Sequence, residues 1–195
     1  MLRRHAILQA LAITLLPLGQ PSASAATPDE TLQTGFQQLL EATKRASSSS
    51  PAELAKSARP VLERYIDFAS LTRRAFGLGW KDLSPAEQKE AQQLFSEVVI
   101  RNYASKIKPE RTPKVKFSAP KKLDSTRQEV LASVNNDGVD VQVIYRLESK
   151  GKAWFVYEIL VEGVSLTNSY RSQFDSIRSR SGPKAPLESL RSMLR

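Results

Sequence analysis

Residues 154–174, WFVYEILVEGVSLTNSYRSQF, carry the strongest structural signal in this chain. The apolar first part predicts a strand, the Glu-Gly pair at 162–163 predicts a turn, and a helix is expected to follow Ser165. The segment holds no nucleophile motif and no cluster of metal ligands. Aromatic and β-branched side chains dominate it instead, which is typical of the wall of an apolar pocket.

Three further strands are predicted upstream, because apolar and polar residues alternate there. They cover residues 115–119, 128–135 and 139–147, and Asn-Asp-Gly at 136–138 predicts a tight hairpin turn between the last two. On one face of the third strand we expect Val139, Val141, Val143, Tyr145 and Leu147. In the fourth strand we expect Ala153, Phe155, Tyr157, Ile159 and Val161 on one face, with Trp154, Val156, Glu158 and Leu160 opposite.

Three capping boxes predict where helices begin. They are Thr27-Pro28-Asp29-Glu30, Ser50-Pro51-Ala52-Glu53 and Ser84-Pro85-Ala86-Glu87. The first helix should end near Arg45, the second should be kinked or divided at Pro60, and the third of these helices, the longest in the chain, should end before Pro109. Asp67 is expected to cap a short helix that stops at Gly77.

This order of elements predicts the fold class α+β. N-terminal helices should cover a curved four-stranded antiparallel sheet, and C-terminal helices should follow it. Such a sheet, closed on one side by helices, encloses a cone-shaped space. The pattern of residues leaves open whether that space is filled by side chains or is a hollow apolar pocket.

The N-terminus has the features of a cleaved secretory signal peptide. Arg3 and Arg4 precede an uncharged apolar stretch at residues 6–18, and Ala23-Ser24-Ala25 supplies small residues at a cleavage site. We therefore expect a signal peptide at 1–25 and a single domain at 26–195. Because Arg3 and Arg4 are the only charges in the signal, its removal would lower the formal charge from +9 to +7.

The residues missing from the mature chain exclude several kinds of site. The sequence contains no Cys, and its one histidine, His5, lies in the predicted signal peptide. Thiolate or imidazole zinc sites, Cys nucleophiles, Ser-His-Asp triads and disulfides therefore have no residues to form them. Carboxylates, Lys and Tyr remain, so catalysis is disfavoured, not forbidden.

Two blocks of residues resemble a known family. Glu162-Gly163-Val164-Ser165-Leu166, followed by Tyr170, Arg171 and Phe174, resembles the signature of the MlaC family, periplasmic phospholipid carriers also called toluene-tolerance auxiliary proteins. A second block agrees in order and spacing: Tyr65, Asp67, Phe68, Arg74, Gly77, Trp80, Ser84, Pro85, Phe95 and Tyr103. The chain departs from the family where Ser169 precedes Tyr170-Arg171 in place of the common Asn, and where Thr167-Asn168 is more polar.

The resemblance implies a monomeric periplasmic shuttle that maintains outer-membrane lipid asymmetry. Such a carrier would hold the acyl tails of a glycerophospholipid in its interior and leave the headgroup near the mouth. The implied partners are an inner-membrane ABC transporter complex with its MCE-domain protein, and an outer-membrane lipoprotein with its associated porin. The resemblance implies no enzymatic activity and no cofactor. The missing His and Cys argue against a metal site, and the predicted export and the absence of a recognised reader motif argue against nucleic-acid binding.

Candidate lipid-contacting residues follow from the expected faces. On the sheet side they are Val143, Tyr145, Phe155, Tyr157, Ile159 and Val161. On the helical side they are Leu62, Phe68, Leu71, Leu94, Phe95, Val98 and Tyr103. Ordinary core packing explains each of these residues as well as lipid contact does.

Charged residues suggest two further hypotheses. Nine basic residues and two acidic ones lie between Arg101 and Arg127, and this window is expected either to attract anionic headgroups or an acidic surface, or to protect an edge strand. The basic residues are Arg101, Lys106, Lys108, Arg111, Lys114, Lys116, Lys121, Lys122 and Arg127. For Arg171 we favour an ion pair with Glu158 or Glu162 over phosphate binding.

Three alternatives stay open at the level of sequence. A branch associated with hopanoid biosynthesis shares the strand-to-helix signature, so the lipid is less secure than the class. A small-molecule isomerase or hydrolase would place Tyr145 or Tyr157 beside Asp67 in the same pocket. The third alternative is an adaptor protein that has a packed core and binds no lipid.

Overall fold

The computed structural model describes residues 26–44, 50–104, 113–136 and 138–195. The N-terminal helices are α1 (Pro28–Lys44), α2 (Pro51–Tyr65), α3 (Phe68–Phe76) and α4 (Pro85–Ala104), with a 3-10 turn at Gly77–Asp82 between the last two. The strands are β1 (Lys114–Phe117), β2 (Lys121–Lys122), β3 (Arg127–Asn136), β4 (Val139–Lys150), β5 (Ala153–Val161) and β6 (Val164–Ser165). Two helices follow, α5 (Leu166–Ser181) and α6 (Ala185–Met193). The signal-peptide prediction falls on residues 1–25, outside the described part.

The predicted helix starts are confirmed by their hydrogen bonds. The backbone N–H groups of Thr27 and Ser84 each donate to the carboxylate of the glutamate three residues later, at 2.8 Å in both cases. The Ser50 hydroxyl accepts from the N–H of Glu53, and Asp67 accepts from the N–H of Ser70 at 3.0 Å. Satisfying the free N–H groups of the first turn fixes where each helix begins.

The predicted division of α2 at Pro60 is wrong, and the predicted end of α4 falls outside the described residues. The helix α2 is not divided at Pro60 but continues through it to Tyr65. Pro60 is exposed, so the carbonyl that loses its N–H partner can bind water. For α4, Pro109 belongs to residues 105–112, which lie outside the described part.

The α+β class is confirmed, but the predicted count of four strands is too low. The sheet has six strands in the order β1-β3-β4-β5-β6, with β2 also paired to β3, and all of these pairs are antiparallel. The two added strands have only two residues each, too few to show an alternating pattern. The Asn136↔Val139 pair confirms the hairpin turn predicted at 136–138.

A β-bulge in β5 overturns the predicted faces of that strand. Arg146 lies opposite Glu158, yet its neighbour Leu147 lies opposite Val156, so Tyr157 is an extra residue without a partner. Directly opposed residues of antiparallel strands share a face. Val156 therefore faces the same side as Leu147, and Phe155, opposite Glu148, faces the other.

Apolar side chains form two clusters. The larger lies among the helices and contains Leu71, Phe76, Phe95, Ile100 and Phe174, each at most 2% exposed. The smaller lies between α1 and the sheet, with Leu32, Val130, Leu147 and Val156 at its centre. Hereafter we call the sheet face that carries Leu147 and Val156 the inner face. Among the helices of the described residues, none combines the length and the apolar composition needed to cross a membrane.

A short segment between α2 and α3, Ile66-Asp67, joins the helices to the sheet. Ile66 forms a parallel bridge with Val156, and the N–H of Asp67 donates to the Val156 carbonyl at 2.8 Å. The Asp67 carboxylate accepts from the Ser70 hydroxyl at 2.6 Å and pairs with Lys150 at the end of β4. We call Ile66-Asp67 the strap, because it ties α2 and α3 to β5.

A buried carboxylate fixes the entry into α5. Glu158 is 5% exposed and accepts hydrogen bonds from the N–H of Ile159, the Ser165 hydroxyl, and both the N–H and the hydroxyl of Thr167. Ser165 also caps α5 through the N–H of Asn168 at 3.0 Å. The turn predicted before this helix is confirmed, with positive φ at both Glu162 and Gly163.

We predict that Glu158→Gln destabilises the protein by about 2 kcal/mol, because an amide nitrogen would face donors that now bind a carboxylate. The change keeps the size of the side chain, so packing stays the same. Urea unfolding of the variant against the parent measures the effect. As a control, Glu148→Gln removes only a part-exposed ion pair with Arg127 and should cost less than about 1 kcal/mol. Equal costs for the two variants would contradict the role given to Glu158.

The Asp67 contacts predict a dependence of stability on pH. Burial opposes ionisation, but hydrogen bonds from Lys150 and Ser70 outweigh it and hold the pKa of Asp67 below its ordinary value of 3.8. A carboxyl whose native pKa is depressed contributes stability above its unfolded pKa, and that contribution is lost as pH falls toward the native pKa. The parent should therefore lose more stability below about pH 4 than Lys150→Met does. Urea midpoints across an acid pH series measure this, and Lys152→Met, which changes an exposed neighbour in the same turn, should follow the parent. Identical acid losses in the parent and Lys150→Met would rule the pair out as the cause.

Candidate functional site

An apolar cavity of about 90 Å³ lies between the helices α1 and α2 and the inner face of the sheet. From α1 it is lined by Thr31, Leu32, Gly35, Phe36 and Leu39. From α2 and the strap it is lined by Val61, Leu62, Tyr65 and Ile66, and from the sheet by Phe117, Tyr145 and Val156. Three strands and two helices thus contribute to one apolar space.

The width of the cavity depends on how closely α1 approaches its neighbours. A Cβ atom on Gly35 would lie 3.1 Å from the ring of Tyr65, so any larger residue there would push that ring away by a few tenths of an ångström. On the sheet side, the ring of Phe36 meets that of Phe117 edge-on, with centroids 6.4 Å apart. These contacts hold α1 across the cavity as one of its walls.

Tyr145 gives the cavity a neutral hydroxyl. Burial, followed by the electrostatic influence of Tyr103, raises the pKa of Tyr145 to about 12. The phenol therefore stays protonated at neutral pH. A neutral hydroxyl in an apolar lining can donate to an ester or phosphate oxygen, but it is unsuited to act as a base.

The volume is small for a ligand with acyl chains. About 90 Å³ equals the share of liquid volume of roughly three water molecules, and pockets for drug-sized ligands start near 300 Å³. In this structure the cavity is therefore too small to enclose an acyl chain. A large apolar ligand would require one wall to move outward.

The structure divides the thirteen predicted lipid-contacting residues among several places, and their role stays a prediction. Leu62 and Tyr145 line the cavity. Phe68, Leu71, Leu94, Phe95 and Val98 lie in the helical cluster. Ile159 packs against both clusters, and Val143 lies opposite Val161 on the inner face, two residues before Tyr145.

The other three predicted residues lie elsewhere. Phe155 lines a separate cleft near Asp67 and Lys150. Tyr157, on the bulge, is buried between the guanidinium groups of Arg74 and Arg127, at 4.5 and 5.8 Å from the ring centre. Tyr103, near the described end of α4, is 37% exposed.

Sequence reasoning missed the contribution of α1. Leu32, Phe36 and Leu39 recur on one face of the first helix, but none of them is among the thirteen predicted lipid-contacting residues. Because α1 supplies five of the twelve lining residues, it is the largest single contributor. The sequence shows the apolar face of α1, but it does not show which part of the fold that face contacts.

The expected ion pair of Arg171 is wrong. Its guanidinium donates to the backbone carbonyl of Arg74, at 2.8 Å from Nε and 2.5 Å from Nη2. Glu158 is occupied by Ser165 and Thr167, and Glu162 accepts from the backbone of Gln142. Arg171 therefore joins α5 to the end of α3.

The basic window is only partly described, and its role stays a prediction. Arg101 pairs with Glu97, Lys121 with Glu129, and Arg127 with Asp124 and Glu148. Lys114 and Lys116 are exposed on β1, at the edge of the sheet. Lys106, Lys108 and Arg111 lie outside the described residues.

The arrangement of polar groups gives little support to an enzyme. The hydrogen-bond partners of the Asp67 side chain are Ser70 and Lys150, not Tyr145 or Tyr157. Within the described part of the chain, no group of three or more His, Cys, Asp or Glu could hold a metal ion. The geometry is that of an apolar binding site.

Comparison with known proteins agrees with this geometry. The chain is 23% identical over 186 residues to the toluene tolerance protein Ttg2D of Pseudomonas putida, covering 93% of this chain and 84% of that protein. Its fold matches a phospholipid-binding protein from Ralstonia solanacearum, solved in complex with a phospholipid, with a TM-score of 0.78 and 26% identity. This match covers 88% of this chain and 97% of the other. Residues 30–192 match the family model described as MlaC protein, and the chain therefore belongs to the MlaC family.

Proposed function

We propose that this protein is a lipid carrier that binds the acyl tails of a glycerophospholipid in the cavity between α1, α2 and the sheet. The observation that carries the proposal is an apolar cavity, built from two helices and three strands, in a member of the MlaC family. The phospholipid-bound relative from Ralstonia solanacearum has the same fold, which supports a phospholipid as the ligand.

The energetics of lipid transfer favour an enclosed site over a surface groove. Each methylene exposed to water costs about 0.8 kcal/mol, so two acyl chains need a lining that covers them from all sides. The inner face of the sheet provides one side and α1 with α2 the other. Tyr145 would lie near the chains as a neutral donor, adding no charge to the apolar space.

Lipid entry requires the cavity to widen, and α1 is the wall best suited to move. It packs against α2, β3 and, through Phe36 and Phe117, β1, whereas α2 also packs against α4 and is tied to β5 through the strap. Of the seventeen residues of α1, only Pro28, Leu32, Gly35 and Thr43 are buried. An outward displacement of α1 would enlarge the cavity without breaking the sheet or the helical cluster.

The family membership extends the proposal to a cellular role. We infer that residues 1–25 direct export to the periplasm and that residues 26–195 form one lipid-binding domain. There the monomeric protein would receive and deliver phospholipid between an inner-membrane ABC transporter complex with an MCE-domain protein and an outer-membrane lipoprotein-porin complex. That exchange would maintain the lipid asymmetry of the outer membrane, without catalysis.

We predict that protein purified from a bacterial host carries phospholipid, and that filling the cavity removes it. Leu39→Trp places a larger side chain in the lining and should lower the lipid-bound fraction about tenfold, which corresponds to about 1.4 kcal/mol. Native mass spectrometry with lipid extraction measures the fraction. Gln37→Trp changes an exposed residue of the same helix and should retain lipid. A lipid-free parent protein, or equal retention in both variants, would count against the cavity.

We also predict that fixing α1 to the sheet stops lipid exchange. The chain contains no cysteine, so Phe36→Cys with Phe117→Cys can be joined selectively by a short cleavable dithiol linker. The linked protein should exchange fluorescent phospholipid with vesicles at least about tenfold more slowly than the same protein after linker cleavage. Each single-cysteine variant treated with the reagent serves as the control. Unchanged exchange would show that another wall moves, while leaving the carrier function intact.

A further inference from the structure

A second space, a cleft of about 440 Å³, lies on the other side of the strap from the apolar cavity. Glu63 of α2, the start of α3, residues 92, 93 and 96 of α4, and the β4–β5 hairpin line it. The side chain of Ile66 belongs to the lining of both spaces and so forms part of the wall between them. The volume falls in the range that takes a small ligand or a headgroup.

The cleft already holds an ammonium group from the protein itself. Lys150 pairs with the carboxylate of Asp67, and its Nζ lies 5.8 Å from the centre of the Phe155 ring. The side chain of Asp67 is 8% exposed, whereas that of Lys150 is 50% exposed. A carboxylate beside an aromatic face is the combination that binds alkylammonium groups, and only the lysine can leave it easily.

The remaining groups favour a cation over an anion. Glu63 adds a second carboxylate, 49% exposed and shared with Arg59. Gln92 and Gln93 add amide groups, and Ser96, which is 6% exposed, uses its hydroxyl proton on the Gln93 carbonyl and keeps its oxygen as an acceptor. An anion here would face two carboxylates, and Lys150, the one cation in the lining, is already neutralised by Asp67.

The apolar residues of the cleft indicate which non-polar group the ligand should carry beside its charge. Phe155, which is half-buried, and Phe68, which is 6% exposed, add apolar groups to the lining. A bare inorganic cation would leave these groups in water, whereas a short alkyl chain would cover them. The ligand class with both properties is a primary amine on an alkyl chain.

We propose that the cleft is a binding site for a primary alkylammonium group, which takes the place of Lys150 beside Asp67 and Phe155. The group can come from a soluble amine or from the aminoethyl headgroup of a phospholipid. Binding of a phospholipid headgroup rests on the proposed carrier function, whereas binding of a soluble amine does not.

The first experiment uses n-butylammonium as the probe, titrated into the full mature protein and followed by NMR shifts of the Gln92 and Gln93 side-chain amides. Glu63→Gln should weaken binding about threefold, as expected for a half-exposed ion pair. Lys150→Met should tighten it about tenfold, because the competing ammonium is gone. Lys152→Met, an exposed change in the same hairpin turn, should leave binding unchanged. Equal binding of butanoate, or no tightening in Lys150→Met, would overturn the site.

The second experiment identifies the source of the amine. The protein is loaded from vesicles of equal parts phosphatidylethanolamine and phosphatidylglycerol, and the bound lipids are extracted. A preference for phosphatidylethanolamine that falls in Glu63→Gln assigns the site to the headgroup. An unchanged lipid ratio with intact butylammonium binding assigns it to a soluble amine. Absence of both effects overturns the inference, whereas absence of any bound lipid refutes the carrier function and leaves the butylammonium result to decide the cleft.

Discussion

The extra residue at Tyr157 in β5 is the constraint on which both the apolar cavity and the cleft depend. Because this bulge reverses the alternation of the strand, Val156 points into the apolar cavity while its neighbour Phe155 lines the cleft. Tyr157 itself is held between Arg74 and Arg127. A bulge also increases the local twist of a sheet, which curves it around the helices. One inserted residue therefore shapes the inner face, divides the aromatic side chains between two sites and anchors the strand to α3.

Polar contacts at two points of β5 then join the sheet to the helices. The strap forms a backbone hydrogen bond with Val156, and Glu158 accepts hydrogen bonds from Ser165 and Thr167 at the start of α5. Buried hydrogen bonds of this kind are costly to leave unpaired, so they fix α3 and α5 relative to the sheet. The contacts described for α1 at the sheet are apolar, chiefly Phe36 against Phe117. Apolar contacts have little directionality, and a helix held by them can shift without leaving polar groups unsatisfied.

Sequence patterns predicted the local structure well and the spatial relations less well. The capping boxes, the hairpin at 136–138 and the turn at 162–163 follow from short-range chemistry, and each is confirmed. The bulge was not predictable, because one unpaired residue in an apolar run leaves no mark on the composition of the strand. The partner of Arg171 was missed because its acceptor is a backbone carbonyl, 97 residues away in the sequence. The cleft likewise joins Asp67 to Lys150, 83 residues apart, and no local pattern connects them.

Under the proposed carrier function, the small volume of the cavity would keep the protein stable between loads. Moving α1 outward without a ligand would expose Leu32, Phe36 and Leu39, at roughly 1.5–3 kcal/mol for each side chain that leaves a buried position. Leu32 is buried now, whereas Phe36 and Leu39 are already partly exposed, so the total cost is roughly 6 kcal/mol, and the protein without lipid still strongly favours the closed form. About ten methylenes of an entering acyl chain contribute about 8 kcal/mol, which exceeds that cost. A single tail is therefore sufficient to hold α1 open, and once the tail leaves, the same side chains close the cavity again.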